Sequence, residues 1–157
     1  MGLLTDIVFI KALQSDAELM RMLPAGDVYN NVADPDFDME NVAIPYLIVN
    51  NDGGSNEQGT KDDKFESGED QVKISIRIVA RTRDELARMS KRVRKAVLDY
   101  FTAAEDRVYA DEMQEYDELV PYEYSFSFSD ITNDMNKPAF YTMFSYDCVC
   151  SNEIIND

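Results

Sequence analysis

Side chains that commonly carry chemistry near neutral pH are sparse in this sequence. There is no histidine, so the usual general base, nucleophile activator and nitrogen ligand is missing. The cysteines Cys148 and Cys150 stand two apart, where an extended chain puts both thiols on one face with Cα atoms about 7 Å apart, too far for an unstrained disulfide. Two thiols supply only half of a tetrahedral zinc site, so the pair reads as buried strand residues of a protein from a reducing compartment. Alternating carboxylates at Asp34, Asp36, Asp38 and Glu40 are oxygen ligands of the kind calcium takes. An EF-hand would place glycine where Met39 stands and glutamate where Pro45 stands, so the expected reading is a solvated acidic loop. Gly53, Gly54 and Gly59 have neither dinucleotide nor P-loop spacing, and no helix opens directly after them. Carboxylates are plentiful, yet no pair sits in surroundings that would drive two pKa values apart. A protein that is no enzyme and carries no cofactor and no metal is expected.

The elements that would position any site come from one domain spanning residues 1–157. The chain has 15 Lys and Arg against 31 Asp and Glu, a net charge of −16, and its 45% apolar residues suffice for a core despite that charge. No apolar run is long enough to span a bilayer, and Met1 to Asp6 lacks the basic start of a signal peptide, so a soluble, unprocessed chain is expected. The charge is unevenly spread: residues 1–80 hold 6 basic and 15 acidic groups, residues 81–101 hold 7 and 3, and residues 102–157 hold 2 and 13. A +4 segment in an acidic chain is a poor match for nucleic acid, which the overall field repels. It reads either as a solvated helix face or as a surface for contacts between copies, in which the basic face of one meets an acidic face of the next and the contacts close into a ring where the rotation allows.

Leu3, Leu4, Ile7, Ile10, Leu13, Ala17, Met20 and Leu23 recur at helical spacing, and a capping box from Ser15 to Glu18 predicts two short helices in series. Residues 44–50 form a first strand opened by Pro45 and stopped by Asn51 to Gly54. Residues 52–70 read as a long mobile loop that orders on a partner. Val72, Ile74, Ile76, Ile78 and Ala80 alternate with polar residues, which predicts a strand with one buried face. Thr82 to Glu85 is a second capping box opening a helix with Leu86, Met89, Val93, Ala96, Val97 and Tyr100 on one stripe. Arg88, Lys91 and Lys95 lie opposite, flanked by Arg92 and Arg94, and partly neutralised by the i,i+4 pairs Asp84–Arg88 and Lys95–Asp99. Residues 102–118 are acidic and weakly periodic: a loop, a fraying helix end or a short extra element. Strands follow at 120–129, with Tyr122, Tyr124, Phe126 and Phe128 on one face, and at 139–151. Those aromatics, with Phe140 and Phe144, are expected to pack as core rather than to stack bases, because no RNA-recognition signature or basic field surrounds them. The expected fold is α+β: an antiparallel sheet of about four strands, packed on one face by the N-terminal helix pair and one long amphipathic helix.

One run of features is similar to a known family. The helix pair, then Asp27-Val28-Tyr29, a loop, Ile44-Pro45-Tyr46-Leu47-Ile48, a polar stretch with Gly59, Thr60, Lys61 and Asp62, the strand 72–80 and Arg81-Thr82-Arg83 at the helix start resemble the phage tail-completion, or tail-terminator-like, family. The resemblance covers residues 3–101, and 102–118 look like an insertion. It implies a small structural subunit of a phage or prophage, located in the virion tail and assembled in the bacterial host cytoplasm. Copies would form a ring, commonly a hexamer, at the head-proximal end of the tail tube, end tube growth and join the tail to the head. The implied partners are the chain itself, the tail tube protein and the head-tail connector protein, with no direct nucleic-acid contact and no membrane. By that analogy Arg88, Arg92 and Lys95 face a neighbouring subunit, and Lys61, Asp62, Lys64 and Phe65 meet the tube or connector. Reversing Arg88, Arg92 and Lys95 to Glu is expected to spare the fold and abolish assembly. The alternatives are an acidic protein-binding module that mimics DNA, motivated by the −16 charge, and a metal-assisted hydrolase using Asp34, Asp36 and Asp38.

Overall fold

A computed structural model describes residues 5–24, 26–30, 43–56, 69–109, 121, 123–134 and 139–151. The elements are α1 (Thr5–Gln14), α2 (Ala17–Met22), β1 (Tyr29–Asn30), β2 (Tyr46–Ser55), β3 (Glu69–Ala80), α3 (Arg83–Tyr109), β4 (Glu123–Phe128), β5 (Thr132–Asp134) and β6 (Ala139–Ser151). The protein is α+β, as its periodicities predict, with a sheet of six strands rather than four. The sheet runs β1-β2-β3-β6-β4, with β5 also paired to β6. It is mixed rather than antiparallel, because Tyr29 and Asn30 of β1 run parallel to Ile48 and Val49 of β2. Two- and three-residue strands are too short to show any period in sequence, which is why β1 and β5 escape a pattern reading.

The starts of α2 and α3 are set by local hydrogen bonds. Asp16, not Ser15, caps α2: its backbone is extended and its side chain accepts from the Leu19 amide at 3.0 Å. Ser15 turns back instead and donates its hydroxyl to the Ala12 carbonyl at 2.6 Å. At α3 the first half of the box is present, with Thr82 Oγ1 accepting from the Glu85 amide at 3.1 Å, while the Glu85 carboxylate reaches one residue further back and accepts from the Arg81 amide at 3.0 Å. α3 then continues to Tyr109, so the first half of the acidic 102–118 stretch is helix and the rest lies outside the described residues.

Strands β2 and β3 run further than their sequences suggest. β2 passes through Asn51 to Gly54 and pairs Gly54 with Val72 and Ser55 with Gln71, so the ends of the expected 52–70 loop are strand. A register shift between Asn51 and Gly54 makes this possible: Gly53 takes φ +89, and a Cβ on Gly54 would collide with the Gln71 carbonyl oxygen. These two glycines serve the bulge.

The helices cover one sheet face, where Val8, Phe9, Leu13, Leu47, Val49, Ile74, Ile76, Ile78, Leu86, Met89, Val93 and Tyr146 are buried in one cluster. The opposite face is not uniformly polar, contrary to a strand with one buried face. Tyr46, Ile48, Val79 and Ala139 are buried there with Tyr29, Ile44 and Tyr141 against them, and Ser75 is only 2% exposed. Tyr29 meets Tyr46 edge-on at 6.4 Å, and the Arg77 guanidinium sits 5.3 Å above the Tyr141 ring. Asn30 of β1 donates to the buried Asp6 carboxylate of α1 at 2.8 Å, tying the edge strand to the helix layer.

Candidate functional site

α3 packs over β3 and β6 and scarcely reaches β4, so the sheet extends past the helix on that side. The space left is an open groove of about 1010 Å³. Leu86, Ala87 and Leu98 form its helix wall, and Phe126, Phe128, Ile131 and Phe144 form its sheet wall. Ala87 and Ser90 keep the helix wall low, and Arg94 reaches across to the Phe126 ring.

Apolar groups are left in water along this groove. Leu98 is 52% exposed, Phe128 68% and Ile131 47%. They stand together, and isolated exposed apolar residues are ordinary where contiguous ones mark an interaction surface. The aromatic face expected to be core is therefore graded along β4. Tyr124 stacks edge-on with Phe101 at 5.4 Å, Phe126 meets Phe144 edge-on at 4.9 Å, and Phe128 at the far end lies mostly open.

The rim is basic. Arg83, Lys91, Arg94 and Lys95 border the groove, with Asp130 at one end as a single carboxylate among the lining residues. The Arg94 guanidinium lies 4.4 Å over the Phe126 ring, which fixes a cation above the apolar floor. Among the described residues none of Arg83, Lys91, Arg94 and Lys95 forms an ion pair, and the expected pairs Asp84–Arg88 and Lys95–Asp99 do not close. The positive face is thus less neutralised than its sequence suggests.

The structure separates the residues that sequence grouped. Lys95 borders the groove, whereas Arg88 is exposed on α3 outside the groove lining. Arg92 turns inward to the α2 start: its Nε lies 3.1 Å from Asp16 Oδ2 and its Nη2 lies 3.1 Å from Glu18 Oε2. Its charge is satisfied within the chain, which makes it a brace between α2 and α3 rather than a contact for a neighbour. Arg92 therefore does not point away from the fold as expected, and a reversal there would set a third carboxylate beside Asp16 and Glu18 at a cost in stability. Lys61, Asp62, Lys64 and Phe65 lie outside the described residues, as do Asp34, Asp36, Asp38 and Glu40.

Sequence reasoning overlooks Leu98 and Ile131. A signal existed in Leu98, which sits about 120° around the helix from Leu86 at roughly 100° per residue, well off the buried stripe. Ile131 carries no such signal, because it follows the end of β4 where no period applies.

The thiols are built for packing. Cys148 and Cys150 are free and buried on the helix side of β6, and Cys150 Sγ lies 3.5 Å from Thr5 Oγ1. Burial pushes both thiols above the ordinary range, Cys148 further still through Cys150 and Asp147. Among the described residues no three His, Cys, Asp or Glu side chains converge as a metal site, and no helix is long and apolar enough to cross a membrane. No family model matches this chain, and no curated protein matches it.

Proposed function

We propose that this protein is a structural phage or prophage tail component. It forms a ring, commonly of six copies, at the head-proximal end of the tail tube, ends tube growth, and joins the tail to the head through the tube and connector proteins. Its place is the virion tail, reached by assembly in the bacterial host cytoplasm. The reading rests on the resemblance of residues 3–101 to the tail-terminator-like family. The observation in the structure that supports it best is the basic-rimmed apolar groove on an otherwise acidic chain. A surface of that kind is stable in water only at the cost of exposed apolar area, and it gains when a partner covers it. Opposite charge on two parts of one chain favours head-to-tail contacts, which close into rings. The role needs no catalytic group.

Imaging tests it. Tails from a phage or prophage encoding the protein, with the chain carrying a small gold-binding tag, should show label at one tube end, on the side that meets the head. Label along the tube, at the distal tip or absent from tails would reject the role. The DNA-mimic alternative gives a different result: a steep loss of a basic, nucleic-acid-binding partner as salt rises, without any tail association.

A further inference from the structure

The groove beside α3 raises the question of what covers it. Its apolar lining includes Leu98, Phe126, Phe128 and Ile131, three of them about half exposed or more, and its rim holds Arg83, Lys91, Arg94 and Lys95 without ion-pair partners among the described residues. A fitting occupant must bring apolar side chains for the floor and carboxylates for the rim. Nucleic acid offers the charge but brings no aliphatic groups to cover Leu98 and Ile131. A small anion would satisfy the rim and leave the floor wet.

We infer that the groove between α3 and the β4–β5 edge is the seat of an acidic surface of a second copy of this chain. This inference rests on the ring reading and deepens it by naming the contact that builds the ring. Charge complementarity carries it. Residues 81–101 are the only basic stretch, with 7 basic and 3 acidic groups, while residues 1–80 have 6 and 15 and residues 102–157 have 2 and 13. Outside residues 81–101, then, the sequence is mainly acidic, and the groove is where the opposite charge gathers. The contact is heterologous, because the groove of one copy meets a different surface of the next. The position in the sheet agrees: β4 is an outermost strand, and among the described residues no strand pairs with it on the side away from β6. Lys95 belongs to this contact, whereas Arg88 stands outside the groove and Arg92 is engaged at Asp16.

Cross-linking at the groove tests this directly. The full chain is made with photoreactive benzoylphenylalanine at Phe128 and, separately, at Leu98. Each is mixed with an equal amount of isotope-labelled wild-type chain, both as concentrated protein and as tails assembled in cells. The expected result is a mixed-isotope cross-link from the groove to an acidic stretch of the other copy. Leu98→Asp and Phe128→Asp should weaken self-association by about tenfold or more while leaving the circular dichroism spectrum unchanged, since both side chains are more than half exposed. Cross-links within one chain only, to the tube or connector protein only, or none in either sample would overturn the inference. Failure of the ring reading is distinguishable. If label sits at the tube end but no groove cross-link joins copies, the inference alone falls. If groove cross-links join copies that never reach a tail, the tail role falls and the contact stands.

Discussion

Arg92 of α3 grips Asp16, the N-cap of α2, across 76 residues of sequence: its Nε and Nη2 donate to Asp16 Oδ1 at 3.2 and 3.1 Å while that oxygen also accepts from the Leu19 amide. One carboxylate thus ends the first turn of α2 and fastens it to the long helix. With Arg92 32% and Asp16 11% exposed at the side chain, the pair is partly screened, and its coupling should be modest. A double-mutant cycle with Arg92→Ala and Asp16→Asn, followed by urea unfolding, should give a coupling of about 0.5–1 kcal/mol. Asp16→Ala should cost roughly 1 kcal/mol more than Asp16→Asn, because only the latter keeps a cap. Additive effects would mean that the ion pair contributes nothing to stability.

Much of the fold was legible because long elements repeat their pattern many times. The alternation from Val72 to Ala80 and the stripe from Leu86 to Tyr100 each name their buried face in sequence, and both faces pack as their periods require. The Arg92–Asp16 brace could not be read, since nothing local to either residue points to the other. The parallel pairing of β1 rests on two residues. The groove was invisible for a related reason: whether Phe126 and Phe128 face core or water depends on how far α3 reaches across the sheet, which is a tertiary fact.

Tyr146 lies at the centre of the aromatic cluster, with Phe9 5.0 Å, Phe126 5.1 Å and Tyr124 5.7 Å away between ring centroids, and its hydroxyl has no hydrogen-bond partner among the described residues. A buried hydroxyl of this kind costs free energy that the ring itself does not need. Tyr146→Phe should keep the fold and leave stability unchanged or raise it by up to about 1 kcal/mol. A loss beyond about 1 kcal/mol in thermal or urea unfolding would show that the hydroxyl has a partner.

Cys148 should give the protein a falling stability on the alkaline side. Its ordinary value is 9.0, and burial, then Cys150 and Asp147, raise it in the folded chain. Above that value the unfolded chain has lost the thiol proton that the folded chain keeps, so folding stability declines as pH rises from about 9 and is unaffected by this group below it. Unfolding midpoints from pH 7 to 10.5 should show this slope, and Cys148→Ala should reduce it, leaving the share that Cys150 contributes. At pH 8 a soluble disulfide reagent should leave both thiols untouched until the chain unfolds; rapid reaction in the native state would place one of them at the surface.

The bulge in β2 fixes a third sensitivity. Gly54→Ala places a methyl against the Gln71 carbonyl oxygen and should cost about 1–3 kcal/mol, whereas Gly53→Ala meets open space and should cost only its strained φ, about 1 kcal/mol. Equal effects at the two positions in urea unfolding would argue against the bulge as described.

The most direct test of the tail-ring account is deletion of the gene in the phage or prophage that encodes it, with particles examined by electron microscopy. The account predicts filled heads separate from tails, tubes longer than normal, and rescue by the wild-type chain but not by Leu98→Asp combined with Phe128→Asp. Joined virions with tails of ordinary length in the deletion strain would contradict it.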